Sequence, residues 1–181
     1  MFRKLIFNLL IILLLFSCED KSLVKHNDRV GNLEKFDQDF SIGLNSQWVK
    51  DESFKIKQYC KRHGLVTKTT NSGLRYLIIE HSNSSIYPKT GDDVILSYDV
   101  RLMDPFMTNC YHSDSNGLAK FKIEQAMVES GLHEVVTYLN KGDSALVILP
   151  HFLAHGVTGD SRKIPPLSSV LYYIKLIDVI N

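Results

Sequence analysis

The sequence predicts an α+β domain, an antiparallel β-sheet wrapped around a short central helix, with an N-terminal helical extension. Three observations predict it. From Thr67 onward the hydrophobic period shortens to that of strands, interrupted by turn clusters such as Asn71-Ser72-Gly73. One stretch in that region breaks the pattern: Val128, Leu132, Val135, Val136 and Leu139 follow the i, i+4, i+7, i+8 stripe of an amphipathic helix. Strands and helices do not alternate as βαβ units, which leaves an antiparallel sheet.

The elements follow in chain order. "MFRKLIFNLLIILLLFSC" joins a positive start (Arg3, Lys4) to an apolar run from Leu5 to Phe16 that is too short to span a bilayer. Residues 1–17 read as an export signal, and "LFSC" as a bacterial lipobox in which Cys18 is the lipidation site and the mature N-terminus. Acyl chains on Cys18, at about 0.8 kcal/mol per buried CH2, would anchor the protein to a membrane. The implied address is the bacterial cell envelope, facing the periplasm. Residues 18–45 are polar without a sustained period and read as a tether, with a short helical turn near Leu33–Phe40.

Residues 46–72 form the helical extension. Ser46 is placed to cap a helix whose last turn holds Lys61, Arg62 and His63 and whose left-handed terminator is Gly64. Val49, Ile56, Tyr59 and Cys60 share one face. Residues 73–181 form the main domain. "GLRYLIIEH" and "VILSYDVRLM" are strands separated by a loop with Pro88 and Gly91, and "AKFKIEQ" is a short alternating strand. The central helix ends near Lys141-Gly142, and "SALVILP" and "VLYYIKLIDVI" are the last two strands.

Composition excludes several functions. With 44% hydrophobic residues the chain can bury a core. Lys and Arg (21) nearly balance Asp and Glu (20), and no basic-aromatic stripe is present, so nucleic acid is not an expected partner. Cys60 and Cys110 lack metal spacing and read as separate buried thiols, or as a bridge in an oxidising compartment. His151 and His155 are four apart, but Pro150 and Gly156 flank them and deny a helix that would present two ligands on one face. "HEVVT" lacks the second histidine of a zincin motif, and no dinucleotide, phosphate or G-x-S-x-G signature occurs. No metal and no cofactor is implied.

Between Gly73 and Val179 the pieces "GLRYLII", "GDDVILSYDVRL", "VESGLHEVVTYLNKGDSALVILP", "LAHGVTGD" and "IPPLSSVLYYIKLIDV" stand in the order and near-spacing of a known family. In these pieces the chain resembles the FKBP-type peptidyl-prolyl cis-trans isomerases. The upstream "VKDESFKIKQYCKRHGLVTKTTNSGLRY" resembles the helix and linker of gliding-motility-associated isomerase lipoproteins of Gram-negative bacteria.

The resemblance implies an FKBP-like fold and an isomerase acting on proline-containing polypeptides, assisting exported or envelope proteins to fold. It implies an apolar aromatic pocket rather than a nucleophile. Tyr98 takes the place of the strand tyrosine on the pocket wall, and Val128 that of the valine before the central helix. Ile164 takes that of the isoleucine whose backbone N–H meets a ligand carbonyl, and Tyr172 that of the aromatic on the last strand. Leu132 stands where a tryptophan floor is usual. His155 replaces the tyrosine of "AYG", and Cys110 and Tyr111 stand where the family has phenylalanine and aspartate. A flanking aromatic falls on Ala119 or Phe121. These exchanges at the polar points leave a second reading: a weakly active or inactive FKBP-like peptide-binding chaperone or assembly lipoprotein.

Overall fold

The computed structural model describes residues 43–180; the signal segment, Cys18 and all but the last residues of the tether lie outside the described residues. The chain divides into two compact units, Met1–Gln47 and Trp48–Asn181, and the sheet with both of its hydrophobic clusters belongs to the second.

Helix α1 covers residues 43–62, so Ser46 lies inside it rather than capping it. Its end follows the sequence closely. Leu65 N–H donates to the Cys60 carbonyl at 2.9 Å and Gly64 N–H to that of Lys61 at 3.4 Å, with Gly64 at φ 64°. This is a Schellman termination, which only a residue without a Cβ adopts freely. The buried stripe of α1 is Glu52, Ile56, Tyr59 and Cys60. Val49, expected on that stripe, is 41% exposed, and a carboxylate takes the buried position instead.

The strands are β1 (Lys68–Thr69), β2 (Arg75–Glu80), β3 (Asp93–Leu102), β4 (Asn109–His112), β5 (Ala119–Lys122), β6 (Ser144–Leu149) and β7 (Val170–Ile180). They form one sheet in the order β1-β2-β6-β7-β3-β4, all pairs antiparallel, with β5 also on β3. Two short helices interrupt the strands, α2 (Ser113–Asn116) and α3 (Ser130–Val136).

β6 and β7 are central and covered on both faces, which explains why they read as nearly continuous apolar runs. Side chains alternate across a strand. Ala145, Val147 and Leu149 therefore enter the cluster under α3, while Leu146 and Ile148 enter the one under α1. β7 divides the same way: Val170, Tyr172, Ile174 and Leu176 point inward, and Leu171 and Tyr173 outward. Strands buried on one face only would show polar residues at alternate positions.

Two local features open a site on the inner face. The free edge of β3 is shared between β5, which pairs Asp93–Leu96, and β4, which pairs Asp99–Arg101; between them Ser97 and Tyr98 pair with β7 alone. In α3, a Cβ on Gly131 would lie 2.5 Å from Leu149 Cδ2 and 3.0 Å from the Leu153 carbonyl oxygen. Glycine therefore lets the helix descend close to the sheet, and the segment preceding it meets the opening in β3.

Candidate functional site

A cavity of about 500 Å³ opens on the inner face. β3 contributes Leu96, Tyr98 and Val100, and β7 contributes Tyr172 and Ile174. These residues are spaced by two, so strand geometry alone aims them at one face. Tyr111 comes from β4, Ala119 and Phe121 from β5, and Leu132 from α3. Val128 and Glu129 lie just before α3, and His155, Asp160 and Arg162 come from the loop between β6 and β7.

Seven of the nine residues implied by the resemblance line this cavity: Tyr98, Tyr111, Phe121, Val128, Leu132, His155 and Tyr172. Ala119 and Phe121, the two positions on which the flanking aromatic could fall, both line it. Cys110 and Ile164 do not. Cys110 is fully buried behind the wall, its Sγ 3.7 Å from the Thr108 and Lys163 carbonyl oxygens. Burial first, then the charge of Asp160, pushes its thiol up, so it stays a packing group and not a thiolate. It is a free thiol, as is Cys60, and the two belong to clusters on opposite faces of the sheet. Ile164 is buried, and its N–H, expected to await a ligand carbonyl, donates to Asp160 Oδ1 at 2.8 Å.

Asp160 is therefore the organising residue of this rim, and the sequence reading passed over it. Its Oδ1 accepts the N–H groups of Arg162, Lys163 and Ile164 at 2.9, 2.9 and 2.8 Å, and its Oδ2 accepts the Tyr111 hydroxyl. Partial burial on its own would raise its pKa. The Tyr111 hydroxyl and the three amides outweigh that and hold the carboxyl down at about 2. The same bond, followed by burial, pushes the Tyr111 hydroxyl up. These bonds also support Ser161, which sits at φ 60° without being glycine. The sequence signal was present: an aspartate followed by a short polar run favours side-chain-to-backbone turns.

Glu129 is the second residue that sequence reading missed. The Tyr172 hydroxyl donates to its Oε1 at 2.7 Å, and His155 Nε2 lies 3.1 Å from the same oxygen. The histidine contact has ion-pair distance without hydrogen-bond alignment, so buried Nε2 has no directed partner. Burial, then the negative charge of Glu129, drives the Tyr172 hydroxyl far above its ordinary pKa, so it remains a donor.

His133, in the discarded zincin-like stretch, is a structural residue. Its Nδ1 accepts the Glu124 N–H at 3.0 Å and its Nε2 faces the Ala126 carbonyl at 3.1 Å, which assigns the proton to Nε2. It packs edge-on against Phe121 at 5.4 Å and so braces the turn leading to Val128.

The cavity is thus apolar and aromatic at its centre, with its carboxylates at the edge engaged by neighbouring donors. No nucleophile–base pair faces it among the described residues lining it. Such a site can hold an apolar ring and exclude water; it is not built to form a covalent bond.

The sequence is similar to that of known proteins. A sequence profile of the FKBP-type peptidyl-prolyl cis-trans isomerase matches residues 84–177. The chain is 29% identical over 130 residues to a protein of Neisseria meningitidis serogroup B named probable FKBP-type peptidyl-prolyl cis-trans isomerase FkpA, covering 72% of this chain and 45% of that protein. It is 31% identical over 107 residues to the peptidyl-prolyl cis-trans isomerase Fkbp12 of Drosophila melanogaster, covering 59% of this chain and 98% of the relative. To the FKBP-type 22 kDa peptidyl-prolyl cis-trans isomerase of Escherichia coli it is 24% identical over 125 residues, covering 69% of this chain and 58% of the relative. The chain spans about half the length of the Neisseria protein. With the profile matching over half of its residues, the chain belongs to the FKBP-type peptidyl-prolyl cis-trans isomerase family.

Proposed function

We propose that the protein catalyses cis-trans isomerisation of X–Pro bonds in polypeptides, without covalent chemistry, inside the aromatic cavity. The observation that carries this reading is the cavity itself: Tyr98, Phe121 and Tyr172 around a space of about 500 Å³. Rotation about a peptide bond must overcome about 18–20 kcal/mol because resonance is lost. A planar amide is polar and is stabilised by water; the twisted amide is less so. A dry cavity that grips the proline ring therefore favours the twisted form over the planar one. No proton has to be moved, and Tyr172 keeps its own engaged with Glu129.

The same polar contacts favour a second reading, a peptide-binding chaperone of low activity. The Ile164 N–H is held by Asp160 and the Tyr172 hydroxyl by Glu129, which leaves fewer donors for a substrate carbonyl. A protease-coupled isomerisation assay on a proline tetrapeptide separates the two. The isomerase reading expects a rate above background that falls at least about tenfold in Tyr98→Ala and Tyr172→Ala. Peptide binding without any rate would leave the chaperone reading.

The setting is part of the proposal. Residues 1–17 direct export, Cys18 carries the lipid, residues 18–45 form the tether, 46–72 the extension and 73–181 the isomerase domain, with clients among exported and envelope proteins. The support is the charged, apolar and small-residue order of "MFRKLIFNLLIILLLFSC". Cys18→Ser should move the protein from the membrane to the soluble fraction; unchanged membrane association would contradict lipidation.

A further inference from the structure

We propose that Glu52 is a positioning residue for the loop that closes the cavity, so that α1 acts on the site from the opposite face of the sheet. The proposal rests on the isomerase reading above. Glu52 lies outside the stretch that the family profile matches, residues 84–177.

The loop between β6 and β7 carries His155, Asp160 and Arg162 to the cavity. One carboxylate holds both of its ends. Glu52 Oε1 accepts the His151 N–H at 2.7 Å and the Ser169 hydroxyl at 2.6 Å, and Oε2 lies 2.6 Å from His151 Nδ1. His151 is the first residue after Pro150, and Ser169 is the last before β7. All three residues are buried, at 8%, 7% and 9% exposure.

The hold continues inward. The His151 carbonyl accepts N–H groups from Ala154 at 3.0 Å and Gly156 at 2.7 Å, the two neighbours of His155. The Gly156 carbonyl in turn accepts the Leu167 N–H at 3.2 Å, which ties the two limbs of the loop together. His155 is therefore suspended from His151, and His151 from Glu52.

Packing does not require a carboxylate here. Its neighbours on the buried stripe are Ile56, Tyr59 and Cys60, and an apolar residue would join them without a desolvation penalty. A buried carboxylate is tolerable only when donors saturate it, and these donors come from the loop's two ends. Glu52 thus contributes loop geometry where another residue would contribute only burial.

The test uses the purified full chain, Glu52→Ala, Glu52→Gln and Ser169→Ala. It measures kcat and KM separately on a proline tetrapeptide and hydrogen exchange along the backbone. Glu52→Ala is expected to lower kcat/KM about tenfold or more, with faster exchange confined to residues 151–169 and unchanged protection in β3, β6 and β7. Glu52→Gln keeps an oxygen for the His151 N–H and the Ser169 hydroxyl and is expected to restore most of both readouts. Ser169→Ala should fall between. Unchanged exchange in the loop, exchange raised uniformly through the sheet, or a loosened loop with wild-type kcat/KM would each overturn the proposal. If the wild type itself does not catalyse, the isomerase reading falls, and the exchange arm alone decides whether Glu52 holds the loop.

Discussion

The two faces of the central sheet use the same strands for opposite ends. Under α1 the outer face is filled: Ile56, Tyr59, Cys60, Leu146, Ile148 and Leu171 pack together, with a buried carboxylate at the margin whose donors are all supplied. Under α3 the inner face is built from comparable residues, yet it leaves a space of about 500 Å³. The inner helix is short, the free edge of β3 is divided between two strands, and the covering loop is braced by two carboxylates, its own Asp160 and Glu52 of α1. The cavity thus comes from incomplete packing held open by polar contacts, beside complete packing on the opposite face.

This contrast can be broken from the outer side first. Ile148→Ala should cost about 2–5 kcal/mol in denaturant unfolding, because it removes buried methyl groups from a filled cluster. At temperatures where the variant remains folded, KM for a proline peptide should stay near the wild-type value. A large KM change would mean that the outer packing reaches the cavity by a route other than Glu52 and the loop it holds.

A smaller effect is expected on the rim. Asp160→Asn leaves one neutral acceptor oxygen for the three amides and puts an NH2 donor where the Tyr111 hydroxyl had an acceptor, and should cost about 1.5–3 kcal/mol. Its pH signature is more specific. The folded carboxyl titrates at about 2 against an ordinary 3.8, so the unfolded chain binds more protons between those values. Stability from this group is present above the ordinary value and is lost as pH falls through that window. Asp160→Asn should remove that part of the acid slope from unfolding curves; an unchanged slope would contradict the assignment.

The smallest effect is expected at Glu129. Glu129→Gln retains an acceptor for the Tyr172 hydroxyl and removes the charge beside His155, so stability should move by about 1 kcal/mol or less. The useful readout is kcat/KM on a proline peptide: with the Tyr172 hydroxyl still accepted, it should stay within about threefold of the wild type, and a loss as large as that of Tyr172→Ala would contradict a merely supporting role for the carboxylate.

The fold was legible because it rests on periods: two along β3, β6 and β7, and the helical stripe through Leu132, Val135 and Val136. The Gly64 terminator was legible for a local reason, its backbone conformation. The aromatic lining became legible through the joint order of motifs, since Tyr98, Phe121 and Tyr172 would each pass as core residues alone. What escaped was everything decided by a partner distant in the chain. Nothing local marks Glu52, because its donors, His151 and Ser169, lie 99 and 117 residues away. The same distance hid the pairing of Tyr111 with Asp160 and of Tyr172 with Glu129, which are separated by 49 and 43 residues. Ile164 was misjudged for that reason: whether an amide is free depends on what the fold brings to it.

The central claim, that an apolar cavity without a nucleophile lowers the barrier to X–Pro rotation, is tested most directly by exchange NMR. A proline peptide would be followed with substoichiometric protein, comparing the wild type with Tyr172→Ala. The account predicts cis-trans exchange far faster than the uncatalysed tens of seconds for the wild type, with most of that gain lost in the variant. Peptide signals that shift on binding while exchange stays at the uncatalysed rate would contradict it.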